Sequence, residues 1–516
     1  MLLHDHIAFW ARISPRVEFA REPGRSVSYA EAAAEVERIA GAFAAVGVGP
    51  GERVAVLAKN CADYPLLCFG IARAGAVSVP LNYRLAPREW EYILADSGAR
   101  VLFAQPALAE AVDGVLGGLS GLESAVALGS APPGWTGFDR WVRGASPPPP
   151  AAVAPPDDAV QMYTSGTTGL PKGAVLSHDA VFHLVHHWSV VYPLLAGERQ
   201  IAVSPMYHAS GFFGFCHAAA VGASLRVMAD FDAVEAVRIL DEERIVRASF
   251  VPAVIQAMLS EVPGVERREF ADLRAVSYGG SPIAESTLRR ALRVFGCDFI
   301  QSYGMTELPC STYLGPAEHR EALEGRPELL LSVGRAAPGS ELKIVGEDGR
   351  ELGPGQIGEI CSRGPQVMSG YWNRPEDTRS ALRDGWMHTG DAGSLDEDGY
   401  LYVKDRTKDM IVSGGENIYP REVENVLFDH PAVADAAVIG VPSERWGETV
   451  KAVVVLAPGA GASEDDLIEF CRGRIAGYKR PRSVDFVAEL PRNASGKVLK
   501  RELREPYWTG RDRRVG

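Results

Sequence analysis

The chain has 516 residues, of which 46% are hydrophobic, so it exceeds the size of a single hydrophobic core and should fold as several packed units. Its formal net charge of -13 argues against general binding to nucleic acid or to an anionic membrane surface. The sequence contains no apolar run of the ~20 residues that a membrane-spanning helix needs, and its start lacks the layout of a signal peptide. Seven cysteines without C-x-x-C spacing favour reduced, packed thiols and a cytoplasmic protein.

The N-terminal part alternates short apolar strands with amphipathic helices. Strands are predicted at Val54–Ala58, Ala76–Pro80 and Val101–Phe103, and a helix is predicted over Tyr64–Ala74. This alternation is typical of α/β layers built on parallel strands. The proline-rich segment 147–156 then predicts an extended surface connector, because proline fixes φ and removes a backbone donor.

A loop rich in hydrogen-bond donors, Tyr163–Gly173, follows between two predicted strands. Glycines let backbone N–H groups approach a polyphosphate, the hydroxyls add donors, and Lys172 adds a point charge. A Walker loop would need glycine in place of Pro171 and Ser or Thr in place of Gly173, so this loop is of another kind. Ser177 is expected to cap the helix that opens at His178.

The middle of the chain continues the strand–helix pattern and then becomes richer in strands. Strands are predicted at Ile201–Val203, Leu225–Met228 and Ala275–Tyr278, with a helix over Ala233–Glu242. From Leu342 to Ser362, turns rich in glycine, proline and aspartate separate shorter strands, which indicates a β-rich layer.

The pattern changes again near Lys404, and the remainder predicts a compact α+β unit. The fold expected is therefore a multidomain α/β chain, with a large N-terminal domain over 1–404 and a small C-terminal domain over 405–516. The charged run Lys404–Asp409 lies at their junction. The predicted C-terminal elements are helices over Tyr419–Phe428 and Glu464–Ile475 and strands over Ala434–Ile439, Lys451–Leu456 and Ser483–Val487.

Several segments along the chain, taken together and in order, resemble the adenylate-forming (AMP-binding) superfamily, and specifically its acyl-CoA synthetases of the fatty-acid–CoA ligase type. The resemblance spans Asp157 to Leu503. The segments that carry it are Tyr163–Gly173, Ser302–Glu307, His388–Asp391, Tyr402–Arg406, Ile411–Pro420 and Pro491–Lys497.

The resemblance implies a nucleotide site. By this resemblance, Tyr303 should stack on adenine and Thr306 should contact phosphate. Glu307 should hold Mg²⁺ together with Thr164, in keeping with the preference of hard cations for oxygen ligands. Asp391 should accept both ribose hydroxyls. Arg406 should also contact the ribose, and the remaining nucleotide-site and CoA-site residues are Ser165, Gly166, Thr167, Thr168, Gly169, Lys172, Gly279, Gly280, Ser281, Ser302, Gly304, Lys408, Gly414, Gly415 and Glu416.

The resemblance also assigns the moving parts and the acyl site. Lys497 matches the lysine of the adenylation step, and Lys408 matches the hinge about which the small domain rotates, where many relatives carry Asp. The Gly414–Gly415 loop is expected to reach the pantetheine channel for the second step. His208 is expected beside the acyl group, and further acyl-pocket candidates are Phe213, Tyr278 and Ser302.

The implied activity is ATP-dependent formation of an acyl-AMP with release of pyrophosphate, followed by transfer of the acyl group to coenzyme A. The acid is expected to be fatty, aryl or alicyclic, with medium-chain and long-chain fatty acids in view. The short basic tail after Leu503 favours CoA over a second reading, a stand-alone enzyme that loads a phosphopantetheinyl carrier protein. A luciferase-like oxygenase and a noncatalytic nucleotide sensor are further alternatives. No nucleic-acid partner is expected, while peripheral membrane contact and a dimer stay open.

Overall fold

The computed structural model describes residues 1–164, 170–192, 194–281, 283–406, 409–413, 416–443, 445–472, 474–492 and 498–509. Across these ranges the helices are α1 (Asp5–Ile13), α2 (Tyr29–Ala45), α3 (Asp63–Arg73), α4 (Pro87–Ser97), α5 (Pro106–Leu116), α6 (Phe138–Trp141), α7 (His178–Val191), α8 (Ala209–Val221), α9 (Ala233–Glu242), α10 (Pro252–Glu261), α11 (Glu285–Phe295), α12 (Pro316–Glu324), α13 (Pro375–Ala381), α14 (Pro420–Phe428), α15 (Glu464–Phe470) and α16 (Lys500–Trp508).

Short 3₁₀ turns lie at Val265–Arg267 and Pro327–Leu331. The strands in the same ranges are β1 (Glu18–Glu22), β2 (Arg25–Ser28), β3 (Arg53–Leu57), β4 (Val77–Pro80), β5 (Val101–Ala104), β6 (Ser124–Ala127), β7 (Thr136–Gly137), β8 (Asp158–Thr164), β9 (Lys172–Ser177), β10 (Arg199–Ala202), β11 (Ser224–Val227), β12 (Ile245–Phe250), β13 (Ala275–Gly279), β14 (Asp298–Met305), β15 (Leu308–Leu314), β16 (Arg335–Ala336), β17 (Glu341–Val345), β18 (Gly358–Arg363), β19 (Gly370–Tyr371), β20 (Leu382–Arg383), β21 (Trp386–Leu395), β22 (Leu401–Arg406), β23 (Ile411–Ser413), β24 (Glu416–Ile418), β25 (Val433–Ser443), β26 (Gly447–Leu456) and β27 (Ser483–Phe486).

The described strands form sheets that we call A to D. Sheet A has the order β16-β15-β14-β13-β12-β10-β11-β1-β2, and sheet B has the order β19-β9-β8-β4-β3-β5-β6-β7. Sheet C has the order β17-β18-β21-β20 with β22 against β21, and sheet D has the order β24-β23-β26-β25 with β27 against β26. The central strands of sheets A and B run parallel, as the sequence predicted. The architecture is therefore a mixed α/β fold, with sheet D forming its small C-terminal part.

One hydrophobic core joins sheets A and B through the buried faces of α2, α3, α7 and α8. A second core packs α9 to α12 against the other face of sheet A, and a third packs α4 and α5 against the other face of sheet B. Sheet D has hydrophobic clusters of its own. Parallel sheets need this cover on both faces, because βαβ connections carry helices to each side.

Local chemistry explains where the helices next to the predicted site begin. The Ser177 hydroxyl accepts a hydrogen bond from the Ala180 N–H at 3.1 Å, so Ser177 caps α7 as predicted. Asp232 caps α9 in the same way, through the N–H of Glu235 at 2.8 Å, and α9 has the predicted bounds. The predicted helix that starts at Glu464 ends earlier, at Phe470, because glycines follow at 473 and 477.

The cysteine side chains do not pair with one another. All seven cysteines are free thiols, and five of them are buried, among them Cys68, Cys216 and Cys310. Burial raises the pKa of Cys310 to about 11 and the pKa of Cys61 to about 12, so these thiols stay protonated. Among the helices of the described ranges, none combines the length and the apolar character needed to cross a bilayer.

Candidate active site

A buried carboxylate lies where sheets A and B meet. Glu307 follows the last residues of β14 and is 4% exposed. Its Oε1 accepts hydrogen bonds from Thr164 Oγ1 and from the Tyr371 hydroxyl, each at 2.9 Å. Thr164 ends β8 and Tyr371 lies in β19, both in sheet B. The result is a cluster of carboxylate and hydroxyl oxygens at the carboxyl ends of two central strands, where α/β sheets bind ligands.

The aromatic ring of Tyr303, four residues before Glu307, is hydrogen-bonded to a second carboxylate. The Tyr303 hydroxyl donates to Asp391 Oδ2 at 2.8 Å, which joins β14 of sheet A to β21 of sheet C. The backbone N–H of Asp391 donates to Thr389 Oγ1 at 3.1 Å, and the Thr389 hydroxyl donates to the Ile360 carbonyl at 2.8 Å, so the turn before Asp391 is fixed. Asp391 pairs with Arg406 across β21 and β22, which brings the backbones of the two predicted ribose residues together.

Two glycines of the predicted site are required by close backbone approach. A Cβ at Gly279 would lie against the carbonyl oxygen of Ser302 and 2.9 Å from Ser302 Oγ. A Cβ at Gly304 would lie 2.5 Å from the backbone nitrogen of Cys310. Gly280 has φ +78°, a left-handed conformation that favours glycine. Gly279 and Gly304 therefore let β13, β14 and β15 pack closely at the strand ends.

Lys172 has a different partner from the one that a phosphate loop would suggest. Its Nζ pairs with Asp377 Oδ1 at 2.5 Å and lies 5.5 Å from the centre of the Tyr371 ring. Thr164 and Lys172 face each other in register across the antiparallel pair β8 and β9. The charge of Lys172 is therefore compensated within the protein, and its amine lies near the Tyr371 ring.

His208 stands at the start of α8. Its Nδ1 accepts from the Ser210 N–H at 3.4 Å, as an N-cap residue would. Burial lowers the pKa of His208 to about 4, so the imidazole is neutral at physiological pH. Phe213 lies in the same helix, fully packed in the core between sheets A and B.

Tyr278, an acyl-pocket candidate, is buried in a hydrophobic core of sheet A. Tyr278 packs on the opposite face of sheet A, in the core with α9 to α12, and its hydroxyl lies 3.0 Å from His319 Nε2. Successive strand residues point to opposite faces, so Tyr278 points away from the face that carries Ser277 and Gly279. Ser302 stays a candidate, because it is half-buried and pairs in register with Gly279.

The remaining predicted residues divide into described and undescribed positions. Thr306 and Ser281 are half-buried, and Glu416 is exposed where it opens β24. Ten of the predicted site positions lie outside what the structure describes. They are Ser165, Gly166, Thr167, Thr168, Gly169, Lys408, Gly414, Gly415, Lys497 and the side chain of Arg406. Their roles stay predictions.

Sequence reasoning missed Tyr371 and Asp377. Tyr371 donates directly to Glu307, and Asp377 pairs with Lys172. The segment Gly370-Tyr371-Trp372 offers one signal, since a glycine within a strand often marks a bend or a close approach of another part of the chain. Its position beside β9 depends on a pairing between distant parts of the chain.

Comparison with known families agrees with this geometry. Residues 5–372 match the family described as AMP-binding enzyme, and residues 422–497 match the AMP-binding enzyme C-terminal domain. The chain belongs to the AMP-binding enzyme family.

Its relatives are acyl-CoA and fatty-acid ligases. The chain is 40% identical to the fatty acid–[acyl-carrier-protein] ligase ScoC of Streptomyces coeruleorubidus, over 98% of this chain and 97% of that protein. It is 37% identical to the long-chain-fatty-acid–CoA ligase FadD13 of Mycobacterium tuberculosis, over 96% of this chain and 97% of that protein. The amide bond synthetase McbA from Marinactinospora thermotolerans has a similar structure, with a TM-score of 0.88 at 29% identity, over 97% of this chain and all of that one. The predicted class, an AMP-forming acid–thiol ligase of the acyl-CoA synthetase type, is confirmed.

Proposed function

We propose that this ligase adenylates its carboxylic acid where sheets A, B and C meet, and that it then transfers the acyl group to CoA. The observation that carries the proposal is the cluster of Glu307, Thr164 and Tyr371, together with the hydrogen bond from Tyr303, four residues before Glu307, to Asp391. An aromatic ring suits adenine, a carboxylate suits the ribose diol, and buried oxygens suit a cation on the triphosphate.

The two steps balance without a side-chain nucleophile. A carboxylate oxygen of the acid attacks the α-phosphorus of ATP, and the bond from this phosphorus to the oxygen of the β-phosphate breaks. Pyrophosphate leaves with the bonding electrons, and acyl-AMP remains. The CoA thiol then loses its proton to solvent, its sulfur bonds to the acyl carbon, and the bond from that carbon to AMP breaks. Positioning and charge stabilisation are the contributions expected from the protein.

The residues around Glu307 fit Mg²⁺. Among the described residues, the side-chain hydrogen bonds of Glu307 come from hydroxyl groups, which leaves its negative charge uncompensated in a buried position. Carboxylate and hydroxyl oxygens are ligands that a hard cation prefers. Glu307 and Thr164 would hold the ion, and the ion would neutralise charge on the phosphates when bound.

Neutral His208 and the half-buried Ser302 line the side where the acid would lie. A neutral imidazole can orient a carboxylate by a hydrogen bond from Nε2, since its Nδ1 already accepts from Ser210. Trp188 and Phe213 pack in the adjoining core and give this side an apolar character. His208 would therefore position the acid without transferring a proton.

The second step is assigned to a rotation of the C-terminal domain, 405–516, against the N-terminal domain, 1–404. Lys497 would serve adenylation, and rotation about Lys408 would bring Gly414 and Gly415 to the thiol. Sheet D supports this assignment, because its own hydrophobic clusters allow it to move as a unit.

The acceptor is the thiol of CoA, and a phosphopantetheinyl carrier protein is a second candidate because a relative at 40% identity is named for a carrier protein. The experiment supplies ATP, Mg²⁺ and a panel of fatty, aryl and alicyclic acids, with either CoA or a holo carrier protein. We expect acid-dependent release of pyrophosphate and AMP and a CoA thioester detected by mass. Formation of ADP and phosphate, or nucleotide turnover that ignores the acid, would contradict the proposal.

A matched variant tests the nucleotide site directly. Asp391→Asn keeps the shape of the side chain and removes its charge, so the affinity for ATP should fall while the acid preference stays the same. We further propose a cytoplasmic location, where ATP and CoA are available and the seven free cysteines stay reduced.

A further inference from the structure

A buried arginine lies on the face of sheet A that α7 and α8 cover. Arg247 is in β12 and is 3% exposed. Its Nη1 lies 2.7 Å from His217 Nδ1 and donates to Gln200 Oε1 at 3.4 Å, and its guanidinium carbon lies 4.5 Å from the centre of the Tyr192 ring. Among the described residues, no carboxylate pairs with Arg247. A buried arginine without a counterion is unusual, because uncompensated charge is costly to desolvate.

Two buried donors of this cluster also lack a partner within the described residues. They are Arg247 Nε and His217 Nε2. Burial and the nearby guanidinium lower the pKa of His217 well below its usual range, so the imidazole is neutral. Its Nδ1 accepts from Arg247, which leaves the hydrogen on Nε2. Both orphaned groups are therefore N–H donors, and native interiors leave few donors without an acceptor.

The cluster lies under the same helix as the proposed acyl site. His217 lies in α8, the helix that His208 caps. Tyr192 follows α7, and burial raises its pKa while the nearby Ser302 side chain opposes that rise. Tyr192 packs against Ile300, two residues before Ser302 in β14, and its ring lies beside the Arg247 guanidinium. An acid that extends from His208 along this face would bring its far end to the orphaned donors.

We propose that Arg247, with His217 and Tyr192, binds a second carboxylate at the far end of the acid, so that the preferred substrate is a dicarboxylic acid activated at one end. This inference rests on the proposed adenylating function. A carboxylate supplies both the missing negative charge and the acceptors for the two N–H groups. An unsubstituted hydrocarbon end would cover the same donors without satisfying them, which is unfavourable.

The test compares acids that differ in the distal group alone. Pyrophosphate release is measured for straight-chain monocarboxylic acids of four to ten carbons and for the dicarboxylic acids of equal length. We expect kcat/KM for at least one dicarboxylic acid to exceed that of its monocarboxylic counterpart by about tenfold or more. A wild-type enzyme that prefers the monocarboxylic acid at every length would overturn the inference and leave the proposed function standing.

The variant Arg247→Met keeps the side-chain length and removes the charge and donors. It should lose the dicarboxylate preference and still turn over the monocarboxylic acid. Arg226→Met is the matched control, because Arg226 is also buried in sheet A but is already paired with Glu243 at 2.6 Å. If Arg247→Met keeps the wild-type ratio of kcat/KM for the dicarboxylic acid to kcat/KM for the monocarboxylic acid, Arg247 serves the fold or ordered water alone. That result would also overturn the inference.

A binding measurement separates this inference from the proposed function and does not depend on a stable variant. Hexanoyl and 5-carboxypentanoyl sulfamoyl-adenosine are nonreactive counterparts of the two acyl adenylates, and their Kd values for the wild-type chain are compared by calorimetry over the same range of chain lengths. Tighter binding of a carboxylated compound supports the inference even if turnover fails. Equal binding at every length rejects it.

Discussion

The hydroxyl of Tyr371 offers a direct measure of how the protein supports the carboxylate at Glu307. The change Tyr371→Phe removes one of two hydroxyl donors to Glu307 Oε1 and leaves the Thr164 donor and the aromatic ring in place. A hydrogen bond to a charged group contributes about 1.5–3 kcal/mol. Because Thr164 remains and water can replace part of the lost bond, we expect a loss of about 1–2 kcal/mol. That loss corresponds to a decrease in kcat/KM of about 5- to 30-fold.

The assay is acid-dependent pyrophosphate release with ATP and Mg²⁺ varied at saturating acid. The decrease should be accompanied by a higher Mg²⁺ requirement, since the hydroxyl orients a proposed ligand. The control is Tyr507→Phe, which removes a hydroxyl bond to Asp485 in sheet D, where Lys451 still pairs with that carboxylate. Wild-type kcat/KM in Tyr371→Phe, or an equal loss in Tyr507→Phe, would refute the reasoning.

Three further changes test other parts of the structure. Lys497→Ala should lower adenylation by roughly a hundredfold or more, as for a lost transition-state cation, while thioester formation from supplied acyl-adenylate survives; equal loss of both steps would contradict the assignment. Gly279→Ala should lower the free energy of unfolding by about 1–3 kcal/mol, because the new methyl group meets Ser302. In the control Gly121→Ala, the added Cβ has open space, and the free energy of unfolding measured by urea titration should change little. Burial lowers the pKa of His208 to about 4, so the unfolded chain binds the proton more tightly between about pH 6.5 and 4. The free energy of unfolding, measured by urea titration, should therefore fall as the pH falls through that window, and His208→Gln should weaken this dependence on pH. The same dependence on pH in His208→Gln and in the wild type would refute a lowered pKa for His208.

Secondary structure was predictable where local signals are strong. The parallel strands around Val54–Ala58, the helix Ala233–Glu242 and the cap at Ser177 follow from apolar periodicity and side-chain capping, which depend on neighbouring residues. The end of α15 was predicted too late, at Ile475, although the helix ends at Phe470. Element ends are the least predictable part of such a pattern, because the last turns fray.

The site was predictable in part. Tyr303, Glu307 and Asp391 stood out because motif spacing ties them to a strand end and a turn, and the structure joins Thr164 to Glu307 and Tyr303 to Asp391. The sheet face to which Tyr278 points was not predictable, because a short apolar strand buried on both sides gives no signal that distinguishes its two faces.

The sequence by itself determined the family, the class of reaction and the order of the α/β elements, because each depends on motifs and periodicity within short segments. Only the tertiary structure decided which distant groups meet. It joined Tyr371 to Glu307, Asp377 to Lys172, and Arg247 to His217 and Tyr192. These contacts depend on sheet pairing and on the packing of helices against sheet A, which bring together residues that are far apart in the chain and whose local sequence carries no signal of the partner.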